Sequence, residues 1–385
     1  MTELPRPGRM PPHIMHVSQP VEGGTAAVVE QLAAGDLARG FTVSIVSPRG
    51  RLEEWAWNHG ARWTELPLTR RPASSDFNAV RSLRRLFGDV DVTYLHSSKA
   101  GAVGRIALAT LPKEQRPRCI FIPHAWSWYV GGTAAPAYKW FEQLASHWAE
   151  AIVAVSVPEA ADGRRVLLAG GAARVVLIEN GVDVTRFAPE GSTIDKGTGP
   201  MVVCVGRLCE QKGQDVLIRS LALLDDRSVH LTLVGKGPDE SALRSLAVSL
   251  NVTQRVHFAG HADPRPYYRS ADVVVLPSRW EGLSLVLLEA MACGSAILAS
   301  DAGASGLEVG DGIVIIDGTE PERLASSLTN ALQDDELRNR LAARARRVAV
   351  DRYSSALTLQ RHRDLVDSLV ASRMPGSEPA ESAVA

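Results

Sequence analysis

Cysteine is scarce in this chain: Cys119, Cys204, Cys209 and Cys293 are the four in 385 residues. None forms a CxxC pair, and none stands near a histidine at zinc-ligand spacing. A zinc module and a disulfide-dense secreted scaffold are therefore not indicated, and reduced cytosolic thiols are expected. An excess of one charge is also missing. The 42 Lys+Arg and 43 Asp+Glu leave a formal net charge of -1, which supplies no overall field for nucleic acid. Long hydrophobic runs are absent too. Stretches such as AIVAV and VVVL have strand length, far below the roughly 20 residues of a membrane-spanning helix. The opening MTELPRPGRMPP is polar and Pro-rich, without the apolar core of a signal peptide. The expectation is a cytoplasmic chain, either soluble or peripheral on the inner face of the membrane.

The charge that is present is unevenly placed. Residues 1–190 carry 21 Lys+Arg against 18 Asp+Glu, which leaves 21 against 25 for the remainder. Much of the positive excess lies between Arg49 and Arg118, including Arg81, Arg84 and Arg85. A solvated surface accounts for it, and so does a face toward anionic lipid or a phosphorylated acceptor.

Short β-branched runs alternate with longer helical patterns, the mark of βαβ units and a parallel sheet. HIMHVS, a helix over TAAVVEQLAAGDLARG and TVSIVS open the series, and Gly40 stops the helix. VTYLHS, CIFIPH, AIVAVS and RVVLIEN follow as strands, continuous enough in apolar character to be buried on both faces. APEGSTIDKGTGP then breaks the pattern with Gly, Pro, Ser and Thr. A second series begins after it: MVVCVGR, VHLTLVG, VHFAG, VVVLPS and AILAS. The predicted organisation is a first α/β domain over residues 1–186, a linker over 187–200 and a second α/β domain over 201–354. A helix over about 355–372 is expected to return to the first domain, and 373–385 to be a disordered tail.

Ligands of open parallel sheets sit beyond the carboxyl ends of the strands. The first such loop contains Gly23 and Gly24 at a helix start, which suits close backbone approach to an anion but also a plain βα turn. It does not match GxGxxG, and no carboxylate after the second strand is placed for a ribose, so a nicotinamide-dependent oxidoreductase is disfavoured. The loop from Val205 to Gly213 carries Gly206, Arg207 and Lys212, two cations suited to a diphosphate. Gly235 follows the next strand in LVGKGP. After VVVLPS, Glu281, Gly282, Leu283 and Ser284 lead into LVLLEAMA, an apolar helix whose one internal acid is Glu289. Such a carboxylate needs a partner: a sugar hydroxyl or a neighbouring cation. His124 ends CIFIPH, where it serves as a ligand contact or a satisfied structural histidine.

Four segments, IENGVDVTRFAP, VGRLCEQKGQDVLI, LVGKGP and ADVVVLPSRWEGLSLVLLEAMACG, occur in the order and spacing of glycosyltransferase family four. The chain resembles these retaining transferases over nearly its whole length. The resemblance implies a GT-B fold: two Rossmann-like domains with parallel sheets facing a central cleft. It implies that Arg207 and Lys212 grip a donor diphosphate, Glu289 holds the ribose, and Glu281 contacts the donor sugar. Gly282, Leu283 and Ser284 approach the sugar and phosphates through their backbone, His124 lies against the sugar, and Gly23-Gly24 shapes the acceptor and phosphate side. VHFAGH is placed near the nucleobase. HSSKAGAVGRIA with FIPHAWSW is similar to bacterial enzymes of polysaccharide or natural-product biosynthesis, many of which use lipid-linked acceptors.

The stretch after SDAGASGLEV departs from the family pattern, being shortened to GDGIVIID, so no donor contact is assigned from Ala302 to Glu308. The expected reaction moves a hexose or N-acetylhexosamine from a nucleoside-diphosphate sugar, a UDP-sugar for preference, to a lipid-linked or small-molecule acceptor. No cofactor and no metal are expected. A nucleotide-sugar epimerase of the same fold, or a binding protein without turnover, is the alternative.

Overall fold

The computed structural model describes residues 11–69, 72–129, 132–167, 173–307, 310–316 and 320–371. Glu308 and the tail expected over 373–385 lie outside the described residues. The chain divides into two compact units, one running through Ile178 and taking up the chain again from Leu359, the other from Glu179 to Thr358. The stretch of linker composition over 187–200 thus falls inside the second unit. It is tied there by Arg269 Nε donating to the Ala188 carbonyl (2.8 Å), Ile194 N–H donating to Ser270 Oγ (2.9 Å) and a Lys196–Asp272 ion pair (2.8 Å).

The first unit contains β1 (His13–Ser18), β2 (Thr42–Ser47), β3 (Arg62–Glu65), β4 (Val92–His96), β5 (Arg118–Ile122), β6 (Ala151–Ala154) and β7 (Arg174–Leu177). All pair in parallel, in the order β3-β2-β1-β4-β5-β6-β7. Its helices are α1 (Gly23–Ala38), α2 (Arg51–His59), α3 (Asp76–Leu86), α4 (Ser97–Ala109), α5 (Ala135–Ala145) and α6 (Val157–Leu167). β4 is buried at every position, as its apolar run predicts, and each fully buried Val or Leu contributes about 1.5–3 kcal/mol. Met15 and Val17 of β1 join one core, with Leu83, Leu95 and Phe121. The opposite core joins Ala26, Val29 and Ala33 of α1 to Val43 and Ile45.

The second unit holds β8 (Met201–Val205), β9 (His230–Val234), β10 (Val256–Gly260), β11 (Val273–Leu276), β12 (Ile297–Ser300) and β13 (Ile313–Ile316), again parallel, in the order β10-β9-β8-β11-β12-β13. Its helices are α7 (Gln214–Leu223), α8 (Glu240–Ser249), α9 (Arg265–Ser270), α10 (Leu285–Ala292), α11 (Pro321–Gln333) and α12 (Asp335–Arg352). α13 (Ser355–Ala371) starts at the end of this unit and counts with the first from Leu359. In the first unit its Asp367 pairs with Arg39 (2.5 Å), and Tyr94 Oη lies 3.4 Å from His362 Nδ1. The sequence reading had not placed β3 and β13. β3 is a mostly exposed edge strand, and β13 lies within the altered segment GDGIVIID. No described helix is long and apolar enough to cross a membrane.

Candidate active site

In a doubly wound sheet the strand order reverses once, and the loops at that point open a crevice for ligand. In the second unit the reversal lies between β8 and β11. The loops that leave those strands are the two that carry Arg207, Lys212 and Glu281. They bind each other closely. Arg279 donates its N–H to the Gln211 carbonyl (2.8 Å), and its guanidinium forks onto Asp215 (3.0 and 2.8 Å). Gln211 Nε2 donates to the Trp280 carbonyl (2.9 Å). Two glycines permit this closeness. A Cβ on Gly213 would lie 2.0 Å from the Pro277 carbonyl oxygen, and one on Gly235 2.0 Å from that of Gly206. Both glycines also hold positive φ, which side chains resist.

Lys212 Nζ donates to Glu281 Oε1, so two residues singled out separately in the sequence form one ion pair. Their side chains are 17% and 9% exposed. Burial works against the Lys212 charge, but the Glu281 carboxylate, by charge and hydrogen bond, lifts the ammonium above the ordinary lysine value. Glu281 Oε2 also lies 3.4 Å from Gln211 Nε2. Arg207 differs: its residue is exposed, and its carbonyl accepts from Gln214 Nε2 (3.0 Å).

Gly282, Leu283 and Ser284 lead into α10, which starts at Leu285 with no side-chain cap and no acid in its first turn. The N–H groups of a helix start need partners, and the dipole there favours an anion. Asn180, in the junction segment, donates Nδ2–H to the Leu283 carbonyl (2.8 Å) and fixes this turn. Further along α10, Leu287, Leu288, Ala290, Met291 and Ala292 are buried, while Glu289 is half-buried and accepts from Tyr268 Oη (3.1 Å). A buried tyrosine of α9 is thus one partner of this acid in the apolar helix. Neither Asn180 nor Tyr268 was predicted as a site residue. β10 ends at Gly260, whose carbonyl accepts from Gly235 N–H (2.7 Å), and His261 just beyond is exposed.

In the first unit the order reverses between β1 and β4. Gly23 and Gly24 begin α1 just after β1, again with no side-chain cap and no acid in the first turn. His124 lies two residues past β5, in a turn where His124 and Ala125 both take positive φ (54° and 90°). Glu159, fully buried, holds this turn: its Oε1 accepts from Ala125 N–H and its Oε2 from Val155 N–H, both at 2.7 Å. Burial pushes the Glu159 carboxyl up to about 7, against the pull of those two donors.

His124 is not isolated. Its Nε2 lies 3.1 Å from His96 Nδ1, and His96 Nε2 lies 3.1 Å from His16 Nδ1. His16 Nε2 then stands 3.4 Å from Asp36 Oδ2 of α1, at ion-pair distance but outside hydrogen-bond alignment. The sequence had pointed to His124 alone. The signal for the rest was a histidine inside each of two apolar strands, HIMHVS and VTYLHS. Among the described residues no group of three or more His, Cys, Asp or Glu could hold a metal ion.

Two family models match the chain, one along each half. The family described as "Glycosyl transferase 4-like domain" matches residues 23–181, and that described as "Glycosyl transferases group 1" matches residues 190–348. The chain is 32% identical to the phosphatidyl-myo-inositol mannosyltransferase of Mycobacterium leprae, over 86% of this chain and 90% of that protein. It is 27% identical to the GDP-mannose-dependent alpha-(1-6)-phosphatidylinositol monomannoside mannosyltransferase of Mycolicibacterium smegmatis, over 87% and 92%. The fold is similar to that of HepE from Anabaena in complex with UDP-glucose, with a TM-score of 0.77 at 21% identity, over 92% of this chain and 99% of that one. The chain therefore belongs to the group 1 glycosyltransferases of GT-B fold, and it is a glycosyltransferase.

Proposed function

We propose that the protein transfers a hexosyl group from a nucleoside-diphosphate hexose to a phosphorylated or lipid-linked acceptor, with retention at the anomeric carbon and without a metal. The observation that carries this reading is the Lys212–Glu281 pair at the β8/β11 reversal, beside the uncapped start of α10. Arg207, Lys212 and the amides of Gly282, Leu283 and Ser284 receive the diphosphate. Glu289, oriented by Tyr268, holds the ribose, and Glu281 meets the sugar. His124 contacts the donor sugar, and Gly23-Gly24 borders the acceptor. As the sugar–phosphate bond breaks, charge builds on the leaving diphosphate, where fixed cations and helix amides stabilise it. The acceptor hydroxyl attacks from the same face, and the departing phosphate takes its proton.

The full-length curated relatives, named for mannosyl transfer, favour GDP-mannose over the UDP-sugars first expected. Their phosphoinositide-derived acceptors also suit the basic first unit. There α3 buries Ala79 and Leu83 and leaves Arg81, Arg84 and Arg85 exposed.

The test is a thermal-shift screen of nucleotide sugars, followed by product analysis with phosphatidylinositol vesicles and soluble inositol phosphate as acceptors. A ligand at 100 times its dissociation constant stabilises by about 2.7 kcal/mol. Stabilisation by GDP-mannose and an α-mannosyl product are expected. No response to any nucleoside diphosphate overturns the proposal. Sugar epimer released without an acceptor shows an epimerase instead.

A further inference from the structure

The imidazoles of the first unit step diagonally across three neighbouring strands. His16 on β1 is in register with Tyr94 on β4, and its ring stacks on the Tyr94 ring (4.8 Å, 5°). His96 lies two residues further along β4, in register with Ile122 of β5, and His124 lies two residues beyond Ile122. Side chains two apart share a face of a sheet, so each advance of two keeps the series on one face. His16 and His96 are fully buried, whereas His124 is part-exposed. Their nitrogens meet in pairs at 3.1 Å rather than converging on a common centre. The geometry is that of a hydrogen-bonded series and not of a metal site.

A neutral imidazole has one donor nitrogen and one acceptor nitrogen. Burial holds His124 down at about 4, and burial with the neighbouring rings holds His96 well below the ordinary histidine value, so both are neutral near pH 7. With one ring proton each on His96 and His124, the series can point only one way or the other. If His16 keeps its proton on Nε2, His96 and His124 must do the same. If one ring reverses, all reverse, and a lone pair on His16 Nε2 faces Asp36. A carboxylate draws a ring proton toward itself, and Asp36 Oδ2 stands 3.4 Å from His16 Nε2, so a single proton on His16 sits on that nitrogen and the first direction is selected. The other polar groups around the inner end are the Tyr94 hydroxyl, His362 and the Arg39–Asp367 pair. Arg39 is held by Asp367 and lies over the Phe41 ring (4.3 Å).

We propose that Asp36, His16 and His96 are positioning residues that fix the proton of His124 on Nε2, so that its Nδ1 offers a lone pair to a hydroxyl of the donor sugar. The proposal rests on the reading of His124 as a sugar contact. It adds to that reading the polarity of the contact: His124 accepts, and it favours a sugar with a hydroxyl, rather than a bare acceptor oxygen, at that point. No described residue supplies another hydrogen-bond partner for His124 Nδ1. Partners of this kind, which set the tautomer of an imidazole, typically change activity about 10–100-fold when removed from metal-site histidines.

The test begins with the unmodified full chain, labelled with 15N and free of ligand. A long-range 1H–15N spectrum reports which nitrogen of each ring carries the proton. The expected result is Nε2–H at His16, His96 and His124. A proton on His124 Nδ1 overturns the proposal, whether or not any variant folds. Asp36→Asn is expected to bring in the Nδ1–H form at His124 and to lower kcat/KM for the donor about 10–100-fold. In a His124→Ala background the same Asp36→Asn change is expected to cost nothing further. An equal loss in both backgrounds assigns Asp36 a purely structural role and overturns the proposal. Transfer that is unaffected by His124→Ala removes the underlying sugar-contact reading, and the ligand-free spectrum tells this failure apart from a wrong tautomer.

Discussion

Replacing Lys212 by methionine separates what the Lys212–Glu281 pair does for the fold from what it does for turnover. The apolar stem is kept, but Glu281, 9% exposed, loses its cation. One contact remains, from Gln211 Nε2 at 3.4 Å. Breaking a buried pair on one side costs about 3–5 kcal/mol, and the 17% exposure of Lys212 sets the expectation at the lower end, about 3 kcal/mol. For a unit the size of Glu179–Thr358 this lowers the melting midpoint by about 6–12 °C. Loss of one preorganised donor to a developing charge separately lowers turnover about 10²–10³-fold. Adding Glu281→Gln to the Lys212 variant removes the orphaned charge, so stability is expected to recover while turnover does not. Calorimetry and initial rates at saturating donor read the two effects. A folded Lys212→Met protein that transfers sugar at the parental rate refutes the assignment, as does a double variant that regains activity together with stability.

Glu289→Ala is expected mainly to raise the donor KM, because a ribose contact is alike in ground and transition states. Tyr268→Phe, which removes only the hydroxyl that orients Glu289, is expected to shift KM in the same direction and less. Steady-state kinetics with varied donor check both. Activity is expected to survive EDTA, and full loss restored by magnesium or manganese refutes metal independence. Acid is expected to destabilise the first unit. Burial holds His124 at about 4 and His362 at about 3, with His96 also well below its ordinary value. The unfolded chain therefore binds protons first, near pH 6.5, and stability falls from there as pH drops toward 4. Glu159, raised from 4.5 to about 7, acts in the opposite sense, since its contribution declines as pH rises through that interval. Three rings outweigh one carboxyl, so urea melts are expected to show a lower midpoint at pH 5 than at pH 7.5. A higher midpoint at pH 5 contradicts the buried neutral rings.

The α/β class, the two series of strands and the candidate loops were legible in the sequence. Those follow from local rules: apolar runs for strands buried on both faces, and glycines and cations directly after them. LVLLEAMA showed that Glu289 needs a partner, because an acid in an apolar helix cannot remain unsatisfied. Which groups meet such a residue depends on long-range packing. Tyr268 comes from another helix, and Lys212 and Glu281 lie 69 positions apart in the chain. The stretch over 187–200 reads as a linker because its composition is polar and small. Its packing on the second unit depends on Arg269, Ser270 and Asp272, which no local rule connects with it. The same limit explains His16 and His96. Each reads as a histidine in an apolar strand, and only strand register, which places β1, β4 and β5 side by side, joins them to His124 and Asp36.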